Sequence, residues 1–287
     1  MTSNLKRSES FFRGYDQTKL YLQKWDADNS CGTILINHGQ AEHSECYHRL
    51  INGFQQSEQG KNWSFIGWDM RGHGKSEGLR GYAKDFDEYV LDYHLFLEEC
   101  LRIDSVKNKP VMLLGHSMGG LVQSCALREK KYDQFKAQVL SSPLFGISQP
   151  IPAWKESGSL VLNALLPKLT LGNEITNEQL TRDPEVIKEF EQDTYRHNKI
   201  SAGVFLGFKR EFDKIVSTAG SITLPTLLHI SDEDPVVSTP QAKIFFENLA
   251  TTDKTLKLFD GGKHELYNDI CRDEVYSAVI DFLNKHK

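Results

Sequence analysis

The hexapeptide Gly115-His116-Ser117-Met118-Gly119-Gly120 places a serine inside a Gly-x-Ser-x-Gly pattern. The apolar run Val111-Met112-Leu113-Leu114 precedes it, and Leu121-Val122-Gln123-Ser124-Cys125-Ala126-Leu127 follows. That context predicts a buried strand, a sharp turn and a helix, with the Ser117 hydroxyl raised above a sheet. Glycines flank the serine because a β-carbon would clash in so tight a bend. A second copy of the pattern, Gly74-Lys75-Ser76-Glu77-Gly78, has neither an apolar run directly before it nor a helical pattern directly after it. It reads as a loop, and Ser76 as a loop serine.

A neutral serine hydroxyl is a poor nucleophile. It needs a base, and the base needs an orienting carboxylate. When the serine rides on a strand-turn-helix elbow, the partners follow in the order serine, acid, histidine. Of ten histidines, only His264 and His286 follow the later predicted strands. His286 is the penultimate residue and reads as a frayed, solvated end. His264 follows the run 255–259 and the Gly261-Gly262 pair, on a loop at the carboxyl edge of the sheet, where ligands bind in such folds. The acid falls within Ser231-Asp232-Glu233-Asp234-Pro235-Val236-Val237. Asp234 is preferred because Pro235-Val236-Val237 turns the chain back into the core behind it; Asp232 is the runner-up. An oxyanion needs preorganised N–H donors. The backbone amides of Met118 and Gln40 are the expected pair, with His38 and Gly39 shaping the second loop.

The elements that must position these groups alternate. An antiparallel pair is predicted around 11–12 and 20–22, then strands at 33–36, 63–68, 111–114, 138–142, 226–230 and 255–259. Helical spacing runs over 47–59, 85–102, 240–249 and 273–285. This rhythm predicts a mostly parallel sheet with helices on both faces. Between about 143 and 223 no clear strand is read, and Pro150, Pro152, Pro167 and Pro184 break helical pieces. The expected organisation is an α/β core over 1–143 and 223–287, with a helical cap inserted over 144–222.

Composition narrows the function. A net charge of −5 argues against a nucleic-acid surface. Cys31, Cys46, Cys100, Cys125 and Cys271 are odd in number and lack metal-type spacing, so they read as free thiols in a reducing compartment. No metal or cofactor is expected. Residues 1–7 lead into no apolar segment of signal-peptide type, and no apolar run approaches the ~20 residues needed to cross a bilayer. A cytoplasmic protein is the resulting expectation.

With these residues assigned, the chain resembles the monoglyceride lipase and lysophospholipase branch of the α/β-hydrolases. The resemblance rests on five motifs, at 38–43, 69–76, 115–120, 234–237 and 262–264, and continues into Leu166-Pro167-Lys168-Leu169-Thr170-Leu171-Gly172. It implies an α/β-hydrolase fold with a cap, Ser117 as nucleophile, Asp234 as acid, His264 as base, and the Gln40 and Met118 amides as the oxyanion hole. Family members often carry a smaller residue where this chain has Gln40. Asp69, Arg71 and His73 read as residues tying loops together, and His116 as a packing residue. Glu42 and His43 read either as contacts to a polar head group or as a loop salt bridge.

Inside the insertion, Leu160-Val161-Leu162-Asn163-Ala164-Leu165-Leu166 is apolar on almost every side, between Lys155 and Lys168. It reads either as a lid resting on lipid surfaces or as a cap helix buried against the core. Both predict an apolar roof over Ser117 and a single-chain acyl lipid as substrate. Two other functions are open: a cap-bearing serine aminopeptidase, holding a free amine with Glu185, Glu189, Glu191 or Asp193, and a catalytically silent, hydrolase-like binding protein.

Overall fold

The computed structural model describes residues 5–287. The reading of the first seven residues therefore falls partly on residues 1–4, outside the described residues. The main sheet contains β1 (Leu5–Arg13), β2 (Lys19–Ala27), β3 (Gly32–Asn37), β4 (Trp63–Trp68), β5 (Val111–His116) and β6 (Phe135–Ser141). Two short strands, β7 (Thr170–Gly172) and β8 (Lys199–Ser201), lie in the insertion, and β9 (Thr226–Ser231) and β10 (Lys254–Phe259) complete the main sheet. Its order is β1-β2-β4-β3-β5-β6-β9-β10. β1 and β2 pair antiparallel, as do β2 and β4, while β4-β3-β5-β6-β9-β10 run parallel.

The central strands lack the polar-apolar alternation of a one-faced sheet because both faces are covered. β3, β4, β5 and β9 are buried at every position. In β3, Leu35 packs with Trp68 and Phe96 on one face, whereas Ile34 and Ile36 pack with Phe54 and Leu283 on the other. The first face is closed by α2 (Asp87–Arg102), reached after α1 (His48–Gln56), and by α3 (Met118–Glu129). The second face is closed by α1 and by the last helix of the chain.

Between β6 and β9 the chain leaves the sheet. It forms α4 (Ala153–Leu165), β7, α5 (Asn177–Leu180), α6 (Pro184–Gln192), β8 and α7 (Ala202–Ser217) before returning. The strand-free reading of this segment is corrected: β7 and β8 pair antiparallel over three residues each. Runs so short carry too few side chains to show an alternating pattern. The chain then closes with α8 (Thr239–Asn248) and α9 (Arg272–Lys285).

The sheet order reverses at β3, with β4 on one side and β5 on the other. The loops leaving β3 and β5 therefore diverge to opposite faces and open a crevice at the carboxyl edge. The predicted chemistry falls at this crevice.

Candidate active site

β5 ends at His116, and α3 begins at Met118, leaving Ser117 alone to make the turn. Its φ of 50° and ψ of −120° lie outside the regions that L-residues prefer. Three backbone bonds hold it there. Its N–H donates to the Ser141 carbonyl at 3.1 Å, and its own carbonyl accepts from Leu121 at 3.2 Å and Leu144 at 3.0 Å. Gly119 is required by close approach: a Cβ there would stand 2.1 Å from the Asn37 carbonyl oxygen.

The structure brings Ser117, Asp234 and His264 together. His264 Nε2 lies 2.9 Å from Ser117 Oγ, and His264 Nδ1 lies 3.0 Å from Asp234 Oδ2. Asp234 Oδ1 accepts the Val236 and Val237 N–H groups at 2.8 and 3.0 Å. The Pro235-Val236-Val237 turn thus orients the carboxylate through its own amides. All three side chains are buried, with Ser117 6% exposed. Burial alone would lower the His264 pKa, but the Asp234 carboxylate, with Glu265 and Glu42 beyond it, holds the ring above the ordinary imidazole value. Burial would raise Asp234, but the facing imidazole together with the Val237 and Val236 amides leaves it below the ordinary carboxylate value. The neutral ring therefore donates Nδ1–H to Asp234 and presents the Nε2 lone pair to the Ser117 hydroxyl.

The rejected candidates lie elsewhere. Asp232 is exposed and accepts the N–H groups of Gly261 and Glu233 at the loop surface. His286 is not a frayed end, as read from its position. Its ring packs on Phe282 and bonds Asp253 at 2.9 Å, with the side chain only 8% exposed. Ser76 is structural: its Oγ accepts the Tyr21 N–H and donates to the Asp69 carbonyl.

The loop after β3 closes over the serine. A Cβ on Gly39 would lie 3.1 Å from Ser117 Cβ, so this backbone sits directly against the nucleophile candidate. Among the described residues, the Gln40 and Met118 N–H groups make no other hydrogen bond, which leaves both free as donors. Glu42 anchors the loop, accepting from the Gly39 N–H and from the Tyr47 hydroxyl at 2.8 Å. Its carboxyl is pushed up to about 7 by burial and by Glu265, against the pull of Arg196. His116 packs on the His264 ring at 4.9 Å and bonds the Ser141 carbonyl. Asp69 and Arg71 tie loops: Asp69 holds Ser44 and Lys75, and Arg71 pairs with Asp92, Asp16 and Glu88.

A cavity of about 340 Å³ opens onto Ser117 and His264. Its walls correct one expectation. The apolar stretch of α4 does not roof the serine; the walls carry Asn173, Asn198, Arg196 and Glu191 beside Ile175, Leu180 and Phe190. α4 packs along α7 and buries none of its residues, so the buried cap-helix reading is also corrected. Leu160, Val161, Leu165 and Trp154 are 59%, 57%, 73% and 71% exposed. Helical spacing indicates an apolar face but not what covers it.

Sequence reasoning missed Arg196 and Glu265. Arg196 reaches Glu265 at 2.7 Å and Glu42 at 3.7 Å, and stacks on Phe190 at 3.6 Å, joining insertion to core beside the site. Adjacency to His264 was the one available signal for Glu265; Arg196 had none. Glu42 and His43 both make ion pairs, His43 with Asp193 at 2.8 Å, and Glu42 also lines the cavity. Of the carboxylates considered for an amine, Glu191 and Asp193 line the cavity, whereas Glu189 pairs with Arg49 and Glu185 with Lys188.

Comparison with known proteins gives the same architecture. A family model described as serine aminopeptidase, S33, matches residues 28–270. Human monoglyceride lipase is 31% identical over 88% of this chain and 80% of its own length. An abhydrolase domain-containing protein of Dictyostelium discoideum is 27% identical over 94% of this chain, which spans 28% of that longer protein. The crystal structure of Paleococcus ferrophilus monoacylglycerol lipase superposes with a TM-score of 0.79 at 26% identity, covering 99% of both chains. The chain is thus a hydrolase that belongs to the α/β-hydrolase family described as serine aminopeptidase, S33, with relatives among the monoglyceride lipases.

Proposed function

We propose that this protein is a serine carboxylic-ester hydrolase that cleaves single-chain acyl lipids, as a monoacylglycerol lipase or lysophospholipase. The observation that carries the reading is the continuous relay from Ser117 Oγ, which with His264 lines the cavity, through His264 to the buried Asp234. Ser117 attacks the acyl carbonyl while His264 Nε2 takes the hydroxyl proton. Asp234 stabilises the imidazolium that forms. The oxyanion meets the Gln40 and Met118 amides, a contribution of roughly 3 kcal/mol per donor. His264 then protonates the leaving alkoxide and activates water to release the acyl group. No step calls on a metal or a cofactor.

The polar wall around Ser117 suits a glycerol or other hydroxylated head group, which the apolar-roof expectation did not provide for. The segment 144–222 acts as the cap. Its exposed α4 face, with Lys168 nearby, suits peripheral contact with a lipid surface. Among the described residues no helix is long and apolar enough to cross a membrane, and all five cysteines are free, which fits a cytoplasmic protein meeting membranes from one side.

The aminopeptidase reading is favoured by the description of the matching family model and by four carboxylates, Glu42, Glu191, Asp193 and Glu265, that line the cavity. Three of them already face Arg196 or His43. Comparing a long-chain monoacylglycerol with an aminoacyl anilide separates the two functions. Ester turnover far above anilide turnover supports the lipase reading; the reverse ratio rejects it. A substrate panel varying acyl length and head group then identifies the lipid.

A further inference from the structure

A second cluster of reactive groups lies beside the site and has no part in the relay. His43, Cys46 and Asp193 each offer one ligand atom, and these atoms lie within 4.8 Å of one another. Two of the three come from one turn of the core. Cys46 N–H donates to the His43 carbonyl at 3.0 Å, which puts both side chains at the start of the same short helical segment. Asp193 comes from the insertion, at the end of α6. Its Oδ1 accepts the Tyr195 and Arg196 N–H groups at 2.9 and 3.3 Å, while Oδ2 faces the His43 ring. The carboxylate is thus already oriented by backbone donors, as metal-binding carboxylates are.

We propose that His43, Cys46 and Asp193 form a binding site for a zinc-class divalent cation that ties the insertion to the core beside the hydrolytic site. One imidazole nitrogen, one thiolate and one carboxylate form a borderline-soft donor set, which selects zinc over magnesium or calcium. His43 and Cys46 are buried, while Asp193 is half-buried and lines the cavity, so solvent reaches the set from the Asp193 side. The charge balance favours a dication: Glu191, Asp193 and Glu265, with Glu42 raised to about 7 beside them, line the cavity against a single arginine, Arg196. Glu42 and Glu265 share that arginine between them. On binding, the proton held between His43 and Asp193 and the Cys46 thiol proton leave to solvent, and three bonds to the metal replace them. In the metal-free protein the same residues remain a His43–Asp193 ion pair. The sequence concealed this set because Asp193 lies about 150 residues from its partners, outside any short ligand motif.

The test uses the full chain after chelator treatment, titrated with zinc chloride by calorimetry and with cobalt chloride by absorption. The expected result is one cation per chain, a thiolate-to-cobalt charge-transfer band and tetrahedral ligand-field bands. Zinc should also raise the melting temperature. Cys46→Ala should abolish the charge-transfer band and weaken zinc binding at least about tenfold. Asp193→Asn should weaken it by a similar factor. Both variants are compared with wild type by circular dichroism in the absence of metal. Because Cys46→Ala only removes one sulfur atom, it also serves where Asp193→Asn loosens the insertion. Absence of a charge-transfer band in the wild type, or zinc affinity unchanged in a folded Cys46→Ala variant, overturns the site.

Discussion

Replacing Asp234 by asparagine tests how the relay is oriented, and the structure dictates the outcome. Asp234 Oδ1 accepts two backbone N–H groups, from Val236 and Val237. In the amide only the oxygen can accept them, so the NH₂ must face His264 Nδ1. That group donates, and the ring must respond by carrying its proton on Nε2. Nε2–H then points at Ser117 Oγ as a donor, where a proton acceptor is needed. The shape of the site is preserved while the base is removed. A wrong tautomer of this kind costs about 10⁴-fold in turnover, equivalent to about 5 kcal/mol of barrier. The assay is kcat on a soluble monoacyl ester between pH 5 and 9, with the melting temperature measured alongside. Turnover within tenfold of wild type in a folded Asp234→Asn variant refutes the reasoning.

The pH profile of the wild type follows from His264. Its neutral form is the active one and Asp234 raises its pKa, so kcat/KM should fall as pH drops through a limb above 6.5; a limb below that value contradicts the assigned charge interaction. Gly119→Ala would set a Cβ 2.1 Å from the Asn37 carbonyl and 2.4 Å from that of His38. The loop carrying Gln40 must then retreat by about 1 Å, which should lower kcat about 100-fold with little change in KM; unchanged kcat in the folded variant argues against an oxyanion role for that loop. Replacing Trp154 and Leu165 together by serine should weaken sedimentation with anionic vesicles and spare turnover of a soluble ester, because both side chains are exposed and neither lines the cavity. Equal vesicle binding by the variant rejects the α4 face as the lipid contact.

The legibility of this chain follows the range of the forces involved. β4 was readable to the residue because a strand buried on both faces is a mostly apolar run, here Trp63 to Trp68 interrupted only by Ser64 and Gly67, and it is ended by the charge of Asp69. The elbow was readable because the glycines around Ser117 answer a local steric demand, visible within six residues. Chain order separated His264 and His286 from the other eight histidines, and the loop after Gly261-Gly262 then singled out His264. What escaped was every interaction between insertion and core. Arg196 with Glu265, His43 with Asp193 and Arg182 with Asp269 each join segments far apart in sequence, and no periodicity marks them. The apolar roof failed for a related reason. The pattern at 160–166 marks an apolar surface, but packing on α7 turns that surface outward, and the more polar segment around 173–198 lines the cavity.

The central claim is that Ser117 is the nucleophile, and Ser117→Ala tests it with the loss of one oxygen atom. Monoacyl-ester turnover by this variant should drop by several orders of magnitude, with melting temperature and circular dichroism close to wild type, and a fluorophosphonate probe should no longer label the protein. Ester turnover that survives unchanged in the folded variant contradicts the account.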